Sequence, residues 1–329
     1  MKVEDMIIVG AGPCGLSTAA EAKKQGFNPV VIDKGCLVNS VYHFPTDMQF
    51  FSTPELLEIG GLPFITSGEK PNRQEALKYY RAVVKTYQLD VRTYEKVFRI
   101  QRDKDIFTVH TESKNGKQAY QTRYLVQATG YYDSPNLLGI PGEDLPKVHH
   151  YYKEGHPYSG LNVLVVGGKN SAVDAAMDLY YAGAKVTMVY RRGQFTDSVK
   201  AWVKPVIESA IKKGWVDMKW NTHVKEIGRD YVVLEEGGKR YTMENDAVFA
   251  MTGYHPKTDM LSYLGVPIDD ETGAPVYNPD TMETPTNGLY IAGVIAAGRD
   301  ANSIFIENGR FHGGKIVADI RRKEDERVS

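Results

Sequence analysis

Cysteine is scarce in this sequence. Among 329 residues only Cys14 and Cys36 occur, 22 positions apart. Two cysteines are too few for a disulfide framework or a zinc cage. Because so little cysteine is typical of a reducing compartment, we expect the protein in the cytoplasm.

The sequence also lacks strong net charge and long apolar runs. The formal net charge is −1 at pH 7, and no basic run could follow a phosphate backbone, so we expect no nucleic-acid partner. No apolar segment approaches the ~20 residues that span a bilayer, so we expect no membrane partner. The start, MKVEDMIIVG, lacks a signal-peptide layout because its apolar run is short and leads into a glycine turn.

A strand–turn–helix–strand unit occurs twice. Segments 3–9 and 29–33 are short and rich in apolar, β-branched residues, as in buried strands. In the segment 13–26 between them, the apolar residues have the spacing of a helix. The same order returns at 161–172 and 184–192, and Gly167 of its turn lies 157 positions after Gly10 of the first turn. The predicted fold class is therefore α/β, with two Rossmann-like three-layer dinucleotide-binding domains.

The segments outside these units give weaker signals. Residues 94–102 and 106–112 alternate polar and apolar, which predicts an antiparallel hairpin. Residues 133–160 are rich in Pro, Gly and Tyr and are typical of a linker. We expect a final helix over 301–321 and a charged, frayed tail over 321–329.

The first glycine turn, G-A-G-P-C-G, predicts a nucleotide site. Its glycines permit a tight turn, close approach of a pyrophosphate and helix-on-strand packing, and the helix N-terminus faces the phosphates. An acid at the end of the second strand can accept hydrogen bonds from a ribose. The predicted cofactor-binding residues here are Gly10, Gly12, Pro13, Cys14, Gly15, Asp33 and Lys34.

The second turn departs from the pattern at Lys169, which occupies the second glycine position. Its ammonium either compensates for a phosphate held farther away or points to solvent. Arg191 and Arg192 stand just beyond the position where the first unit has an acid, and arginines attract a 2′-phosphate, so we expect NADPH. The alternative is two solvated arginines. The predicted cofactor-binding residues of this unit are Gly167, Lys169, Asn170, Ser171, Ala172, Arg191 and Arg192.

With an A-T-G strand end at 128–130 and T-N-G-L-Y-I-A-G at 286–293, the chain resembles the two-domain flavoprotein disulfide reductases, in their thioredoxin reductase-like branch. The resemblance implies FAD in the first unit and NADPH in the insert. It implies an FAD-binding domain over 1–134 and 255–329, interrupted by an NADPH-binding domain over 135–254. Val97 matches the position whose backbone meets the adenine, and Thr129, Gly130 and Gly293 are further expected cofactor-binding residues. The flavin-side residues that the resemblance suggests are Phe50, Phe51, Glu307, Asn308 and His312.

Two departures from this family matter. The C-x-x-C of thioredoxin reductases is replaced by the segment 150–153, HYYK, which excludes direct thioredoxin reduction by the usual route. His149 and His150 there either supply a proton or are linker histidines. The flavin-binding Asp is also missing after A-G at 292–293, so the ribitol contact is expected from backbone, Asn302 or Glu307.

A narrower resemblance is to the bacillithiol disulfide reductases. It rests on cysteine in the first turn and on the segments 45–64, V-V-G-G-K-N-S-A and F-I-E-N-G-R-F-H. It implies reduction of a low-molecular-weight disulfide by NADPH, bacilliredoxin as a partner, and Cys14 as the conserved cysteine; we also expect a homo-oligomer. A ferredoxin or flavodoxin–NADP reductase and an NADPH-sensing protein without turnover remain alternatives.

The chemistry of Cys14 is open at this point. The helix dipole stabilises a thiolate at the first turn, whereas a nearby pyrophosphate opposes one. The alternatives are therefore a catalytic nucleophile and a small buried residue that replaces alanine. Cys36 follows Asp33 closely and is expected to be structural.

Overall fold

The chain divides into two compact units. The first comprises Met1–Tyr42, Met48–Ser134 and Tyr254–Ser329, and the second comprises His43–Asp47 and Pro135–Gly253. The computed structural model describes residues 2–197, 199–300 and 303–328.

A parallel sheet forms the centre of the first unit. The strands of this unit are β1 (Val3–Glu4), β2 (Met6–Val9), β3 (Pro29–Ile32), β4 (Asp90–Arg92), β5 (Lys96–Asp103), β6 (Ile106–Ser113), β7 (Gly116–Thr122), β8 (Leu125–Gln127) and β17 (Leu289–Ile291). The parallel sheet has the order β17–β8–β2–β3–β4. Because both faces of β2 and β3 are covered, every residue of these strands is buried and apolar.

The predicted hairpin exists and has a third strand. Strands β5, β6 and β7 pair antiparallel, and β1 adds to β7 in parallel. The register between β5 and β6 shifts between Val97 and Arg99, which marks a β-bulge.

Helices cover the parallel sheet and carry the candidate site. They are α1 (Pro13–Lys24), α2 (Asn39–Tyr42), α3 (Pro54–Leu57), α4 (Arg73–Thr86), α7 (Asp259–Tyr263), α8 (Ile306–Gly309) and α9 (His312–Val328), with a 3₁₀ turn at Gly293–Ala297. A capping box starts α4, since the Asn72 side chain accepts from the Glu75 N–H at 2.9 Å and the Glu75 carboxylate accepts from the Asn72 N–H. Helix α1 packs against α4, α8 and α9.

The expectation of a frayed tail was wrong, because α9 continues to Val328. Ion pairs one turn apart support it: Arg322 pairs with Asp319 at 2.7 Å and with Glu326 at 2.7 Å. Such pairs stabilise a helix whose residues are mostly charged. The predicted last helix is also divided, since α8 ends before α9 begins.

The second unit repeats the sheet-and-helix plan. Its strands are β9 (Val148–His149), β10 (Asn162–Val166), β11 (Lys185–Tyr190), β12 (Val216–Trp220), β13 (Thr222–Ile227), β14 (Tyr231–Glu236), β15 (Lys239–Glu244) and β16 (Ala247–Ala250), and its helices are α5 (Asn170–Tyr181) and α6 (Lys204–Lys212), with a 3₁₀ turn at His156–Tyr158. The parallel sheet has the order β12–β11–β10–β16–β9, and β13, β14 and β15 form an antiparallel meander. The predicted α/β class with two Rossmann-like domains is confirmed.

The segment 133–160 is more than a linker. Its β9 pairs in parallel with β16 at the edge of the second sheet. The prediction missed this strand because Pro and Gly dominate its surroundings and only two residues pair.

No helix among the described residues is both long and apolar enough to cross a membrane. Within the same residues, no group of three or more His, Cys, Asp or Glu side chains could hold a metal ion.

Candidate active site

Among the three glycines of the first turn, Gly12 alone has free space next to its backbone. A Cβ at Gly10 would lie 2.3 Å from the Ala128 carbonyl oxygen, and one at Gly15 would lie 2.0 Å from the Gly10 oxygen. A Cβ at Gly12 would meet nothing within 4 Å. Gly10, with φ of 111°, and Gly15 therefore hold the turn closed, whereas Gly12 borders free space at the N-terminus of α1. The residues thus fit a pyrophosphate at this position.

Asp33 closes the same turn from the end of β3. One carboxylate oxygen accepts from the Ala11 N–H at 2.7 Å and the other from the Gly35 N–H at 2.8 Å. Burial raises the pKa of Asp33, and the two N–H groups oppose that shift. Each oxygen keeps a second lone pair with which it could accept from a ribose hydroxyl.

Four other predicted residues of the first unit lie outside this turn. Lys34 pairs with Asp133 at 2.9 Å on the surface. Val97 lies half-buried at the bulge in β5. Thr129 is exposed two residues after the end of β8, and Gly130 follows with φ of 67°.

Cys14 is the second residue of α1, and its sulfur lies between two glycines. A Cβ at Gly293 would be 2.9 Å from Cys14 Sγ, and a Cβ at Gly309 would also be 2.9 Å from it. The residue as a whole is half-buried, but its sulfur is enclosed. The burial of the sulfur decides how readily the thiol ionises. Burial raises the pKa of the Cys14 thiol to about 12, and the Glu307 carboxylate adds to the rise. In this environment burial outweighs the stabilisation of a thiolate by the helix dipole, and the sulfur is a protonated thiol at neutral pH.

Glu307 acts on this sulfur through its charge, and His312 binds the backbone next to it. The Ser52 hydroxyl donates to the Glu307 carboxylate. His312 Nδ1 accepts from the Gly293 N–H at 3.1 Å, so its remaining proton must be on Nε2. Burial lowers the pKa of His312 to about 4, with a smaller effect from the charge of Lys315. His312 is therefore neutral near pH 7 and fixes the backbone that confines Cys14.

The other candidates of the first unit have structural contacts. The Asn308 side chain accepts from the Phe305 N–H at 2.8 Å and donates to the Ser303 carbonyl, which caps α8. Phe50 is buried, and Phe51 is half-buried. Cys36 lies near Asn39, with Sγ 3.5 Å from Oδ1. Asn302 lies outside the described residues.

The second glycine turn is closed by its own neighbours. A Cβ at Gly167 would lie 2.5 Å from the Met251 oxygen, and one at Gly168 would lie 2.5 Å from the Tyr190 ring. Ala172, in the third-glycine position, is buried against the turn. The Asn170 side chain accepts from the Lys200 N–H at 2.9 Å, so it anchors the segment that follows β11.

Three cations of the second unit are exposed around this turn. Lys169 is the N-cap residue of α5, and its side chain caps nothing in the helix. The guanidinium groups of Arg191 and Arg192, just after β11, form no ion pair with any residue the structure describes. Exposed cations in these positions can bind a phosphate at little cost. Ser171, also exposed, begins the helix beside them.

His149 and His150 belong to the second unit. His149 packs against the Phe249 ring, with centroids 5.2 Å apart, and burial lowers its pKa. His150 Nε2 lies 3.6 Å from the Glu143 carboxylate. Both histidines have packing and pairing roles within this unit, in agreement with the less chemical of the two interpretations.

Sequence reasoning missed a residue of this site. Ser52 reaches Glu307 across 255 positions, and no local pattern marks it.

The chain is similar to known proteins in both sequence and fold. A family model described as pyridine nucleotide-disulphide oxidoreductase matches residues 7–293. The chain is 50% identical over 327 residues to bacilliredoxin reductase Bdr of Bacillus subtilis (strain 168), covering 99% of this chain and 100% of that protein. A solved structure of bacillithiol disulfide reductase Bdr (YpdA) from Bacillus cereus is 49% identical, with a TM-score of 0.96 over 98% of this chain and 100% of that one. Its counterpart from Staphylococcus aureus is 47% identical, with a TM-score of 0.94 over the same shares.

Proposed function

This chain belongs to the pyridine nucleotide-disulphide oxidoreductase family, and from that premise we propose that it is an NADPH-dependent flavoprotein that reduces oxidised bacillithiol, the disulfide of a low-molecular-weight thiol. Two relatives of about half identical sequence carry the name bacillithiol disulfide reductase, which supports this substrate class. The observation that supports it most is the place of Cys14 in the first turn of α1, two residues after Gly12, whose backbone borders free space.

The first unit is proposed to hold FAD. Gly12 and the free N–H groups of α1 would bind the pyrophosphate, and Asp33 would accept from the ribose. Val97, Thr129 and Gly130 are proposed to line the same cofactor, with Gly293 and Glu307 on its flavin side. The family to which the chain belongs implies FAD and NAD(P)H as cofactors.

The second unit is proposed to hold NADPH rather than NADH. A carboxylate at the end of β11 would repel a 2′-phosphate, whereas Arg191 and Arg192 attract one. Lys169 adds a third exposed cation at the glycine turn. When both cofactors are bound, NADPH would supply a hydride to FAD, and FAD would supply the reaction with those two electrons.

The chain's own chemistry is proposed to take place at Cys14. Its thiolate attacks one sulfur of the substrate, the S–S bond breaks, a mixed disulfide forms and one thiolate leaves. Two electrons and two protons then cleave the mixed disulfide, which restores the Cys14 thiol and releases the second thiol. Because burial holds the pKa of Cys14 near 12, the sulfur must be stabilised as a thiolate before it can attack.

A bacilliredoxin is the proposed protein partner. The name of the Bacillus subtilis relative supports it, since that protein is called a bacilliredoxin reductase. We also propose that the protein works in the cytoplasm, where a reactive thiol stays reduced. A homo-oligomer stays a prediction.

A second candidate function is reduction of ferredoxin or flavodoxin. The enclosed, protonated sulfur of Cys14 favours it, because such a reductase needs no cysteine. The third possibility is a protein that binds NADPH without turnover.

A panel of acceptors separates these functions. The holoenzyme would be given NADPH with oxidised bacillithiol, oxidised glutathione, thioredoxin, flavodoxin or oxygen alone, and NADPH consumption would be followed. We expect oxidised bacillithiol to give the fastest consumption. Faster consumption with flavodoxin would favour the second function, and none with any acceptor would favour the third.

A further inference from the structure

The segment 199–203, which precedes α6, lies beside the second glycine turn. The side chain of Asn170, the first residue of α5, accepts from the Lys200 N–H at 2.9 Å. Val199 is buried in the core of the second unit and anchors the segment there. The Lys200 side chain therefore starts next to the N-terminus of α5.

The backbone of Lys200 is fixed on its other side as well. Its carbonyl accepts from the Val203 N–H at 2.9 Å and from the Lys204 N–H at 3.0 Å, where the chain turns into α6. Both polar backbone groups of Lys200 are thus hydrogen-bonded, whereas its half-buried side chain carries a charge on a flexible four-carbon stem. The fixed backbone keeps the ammonium in the surroundings of the α5 N-terminus.

The ammonium of Lys200 lies near an exposed indole. Its Nζ is 5.8 Å from the centre of the Trp202 ring, and Trp202 is 54% exposed. This distance is close to the outer limit of a cation–π contact, and such contacts are weak at exposed sites. An anion bound at the turn could therefore draw the ammonium toward itself at little cost.

The second turn needs more positive charge than the first. Gly12 of the first turn borders free space, so a pyrophosphate could approach the backbone there. Lys169 occupies the equivalent position in the second turn, and its side chain keeps a phosphate farther from the backbone. Arg191 and Arg192 follow β11, where this type of unit binds the ribose and its 2′-phosphate. A cation at the N-terminus of α5 would compensate at the pyrophosphate itself.

We propose that Lys200 binds the nicotinamide coenzyme, with its ammonium on the pyrophosphate, and that Asn170 is a positioning residue that places Lys200 there. The Asn170 Oδ1 atom accepts from the Lys200 N–H, and the same oxygen turned toward a phosphate would repel it. Its use in positioning avoids that repulsion and brings a positive charge to the turn. The inference rests on the proposed function, in which the second unit binds such a coenzyme.

Binding of the oxidised coenzymes tests this without turnover. The FAD-loaded protein would be titrated with NADP⁺ and with NAD⁺ by calorimetry. Lys200→Ala should weaken both by a similar factor, roughly ten- to hundred-fold, because both coenzymes carry the pyrophosphate and a charge-assisted hydrogen bond is lost. Lys200→Arg keeps the charge and should retain more affinity than Lys200→Ala. The variants with alanine at Arg191 and Arg192 should differ from both, since they should weaken NADP⁺ selectively.

Lys213 offers a matched control. Its ammonium also lies over an indole, 4.3 Å from the centre of the Trp215 ring. It is the C-cap residue of α6, just before β12, and the start of this parallel strand lies at the edge of the sheet opposite the glycine turn. Lys213→Ala should therefore leave the affinity for both coenzymes unchanged.

The role of Asn170 is tested by coupling. Asn170→Ala should weaken both coenzymes in the natural protein and add little in the Lys200→Ala protein, because it acts through Lys200. Thermal unfolding checks the fold: Lys200→Ala removes no backbone hydrogen bond and should leave Tm nearly unchanged.

Two results would overturn the assignment of Lys200. One is an unchanged affinity for both coenzymes in Lys200→Ala, and the other is a loss confined to NADP⁺, which would put the ammonium on the 2′-phosphate. Strict additivity of Asn170→Ala and Lys200→Ala would contradict the positioning role. If the natural protein bound neither coenzyme, the proposed function would fail together with this inference, whereas tight binding that ignores Lys200 would leave the proposed function standing.

Discussion

The Cys14 sulfur fills the space that a side chain at Gly309 would need, since a methyl group there would lie 2.9 Å from Sγ. The glycine of α8 and the cysteine of α1 thus fit each other, although 295 positions separate them in the sequence. A sulfur held in this way has a fixed place and a suppressed ionisation. Its reactivity must come from groups that act on the thiolate.

This fit predicts a coupling between the two positions. Gly309→Ala should destabilise the protein by about 1–3 kcal/mol, because the methyl group would crowd Sγ and the Ile304 side chain. Cys14→Ala should relieve part of that cost in the double variant. Urea unfolding of all four proteins measures the coupling. Gly314→Ala, where a Cβ would meet nothing within 4 Å, is the control and should be neutral or stabilising. Strict additivity of Cys14→Ala and Gly309→Ala would contradict the fit.

The coenzyme preference should depend on two arginines. Arg191→Ala with Arg192→Ala should weaken NADPH binding by roughly ten- to hundred-fold for each arginine removed and leave NADH nearly unchanged, since each charged phosphate contact contributes about 1.5–3 kcal/mol. Titration calorimetry with both coenzymes checks this. Arg229→Ala, an exposed arginine of the same unit, is the control. A double variant that still prefers NADPH to the same degree would refute the assignment.

Flavin retention should depend on Asp33. The purified protein should be yellow, and Asp33→Ala should lower its FAD content, because the Ala11 and Gly35 N–H groups lose their acceptor along with the ribose. Each lost bond costs roughly 1–3 kcal/mol. Asp33→Asn keeps one acceptor oxygen and should retain more FAD. The ratio of flavin to protein absorbance measures it, and full occupancy in Asp33→Ala would show that this carboxylate does not hold the cofactor.

His312 gives the stability a pH dependence of known sign. Its pKa is about 4 in the folded protein against an ordinary value of 6.5, so the unfolded chain binds more protons between these values. The contribution of His312 is therefore present above about pH 6.5 and is lost as the pH falls toward about 4. His312→Asn, which keeps an acceptor for the Gly293 N–H, should flatten that part of the profile. Denaturant unfolding across this range tests it; an unchanged slope would mean that His312 does not titrate as described.

Much of the fold could be predicted because its signals are local. The glycine turns at Gly10 and Gly167 follow buried strands directly, and the close contacts of Gly10 and Gly15 are of the kind the pattern implies. The errors arose where local composition misleads. Segment 133–160 contributes β9 despite its Pro and Gly, and the charged tail is helical because of its ion pairs.

The site was only partly predictable, for a different reason. Cys14, Glu307 and His312 could be named from motifs, but the sulfur's enclosure depends on Gly293 and Gly309, which come from the far end of the chain. Ser52, whose hydroxyl binds the Glu307 carboxylate, carries no motif at all. This contact joins segments 255 positions apart, which a local sequence pattern does not encode.

The most direct test of the account is the fate of electrons in the Cys14→Ala protein. Under anaerobic conditions NADPH should still bleach its flavin, because alanine fits the turn. Addition of oxidised bacillithiol should then cause no NADPH consumption, since a methyl group cannot attack a disulfide. Cys36→Ala should behave like the natural protein in both steps. If Cys14→Ala consumed NADPH with oxidised bacillithiol as fast as the natural protein, Cys14 would be only a small residue that fits, and the proposed mechanism would be wrong.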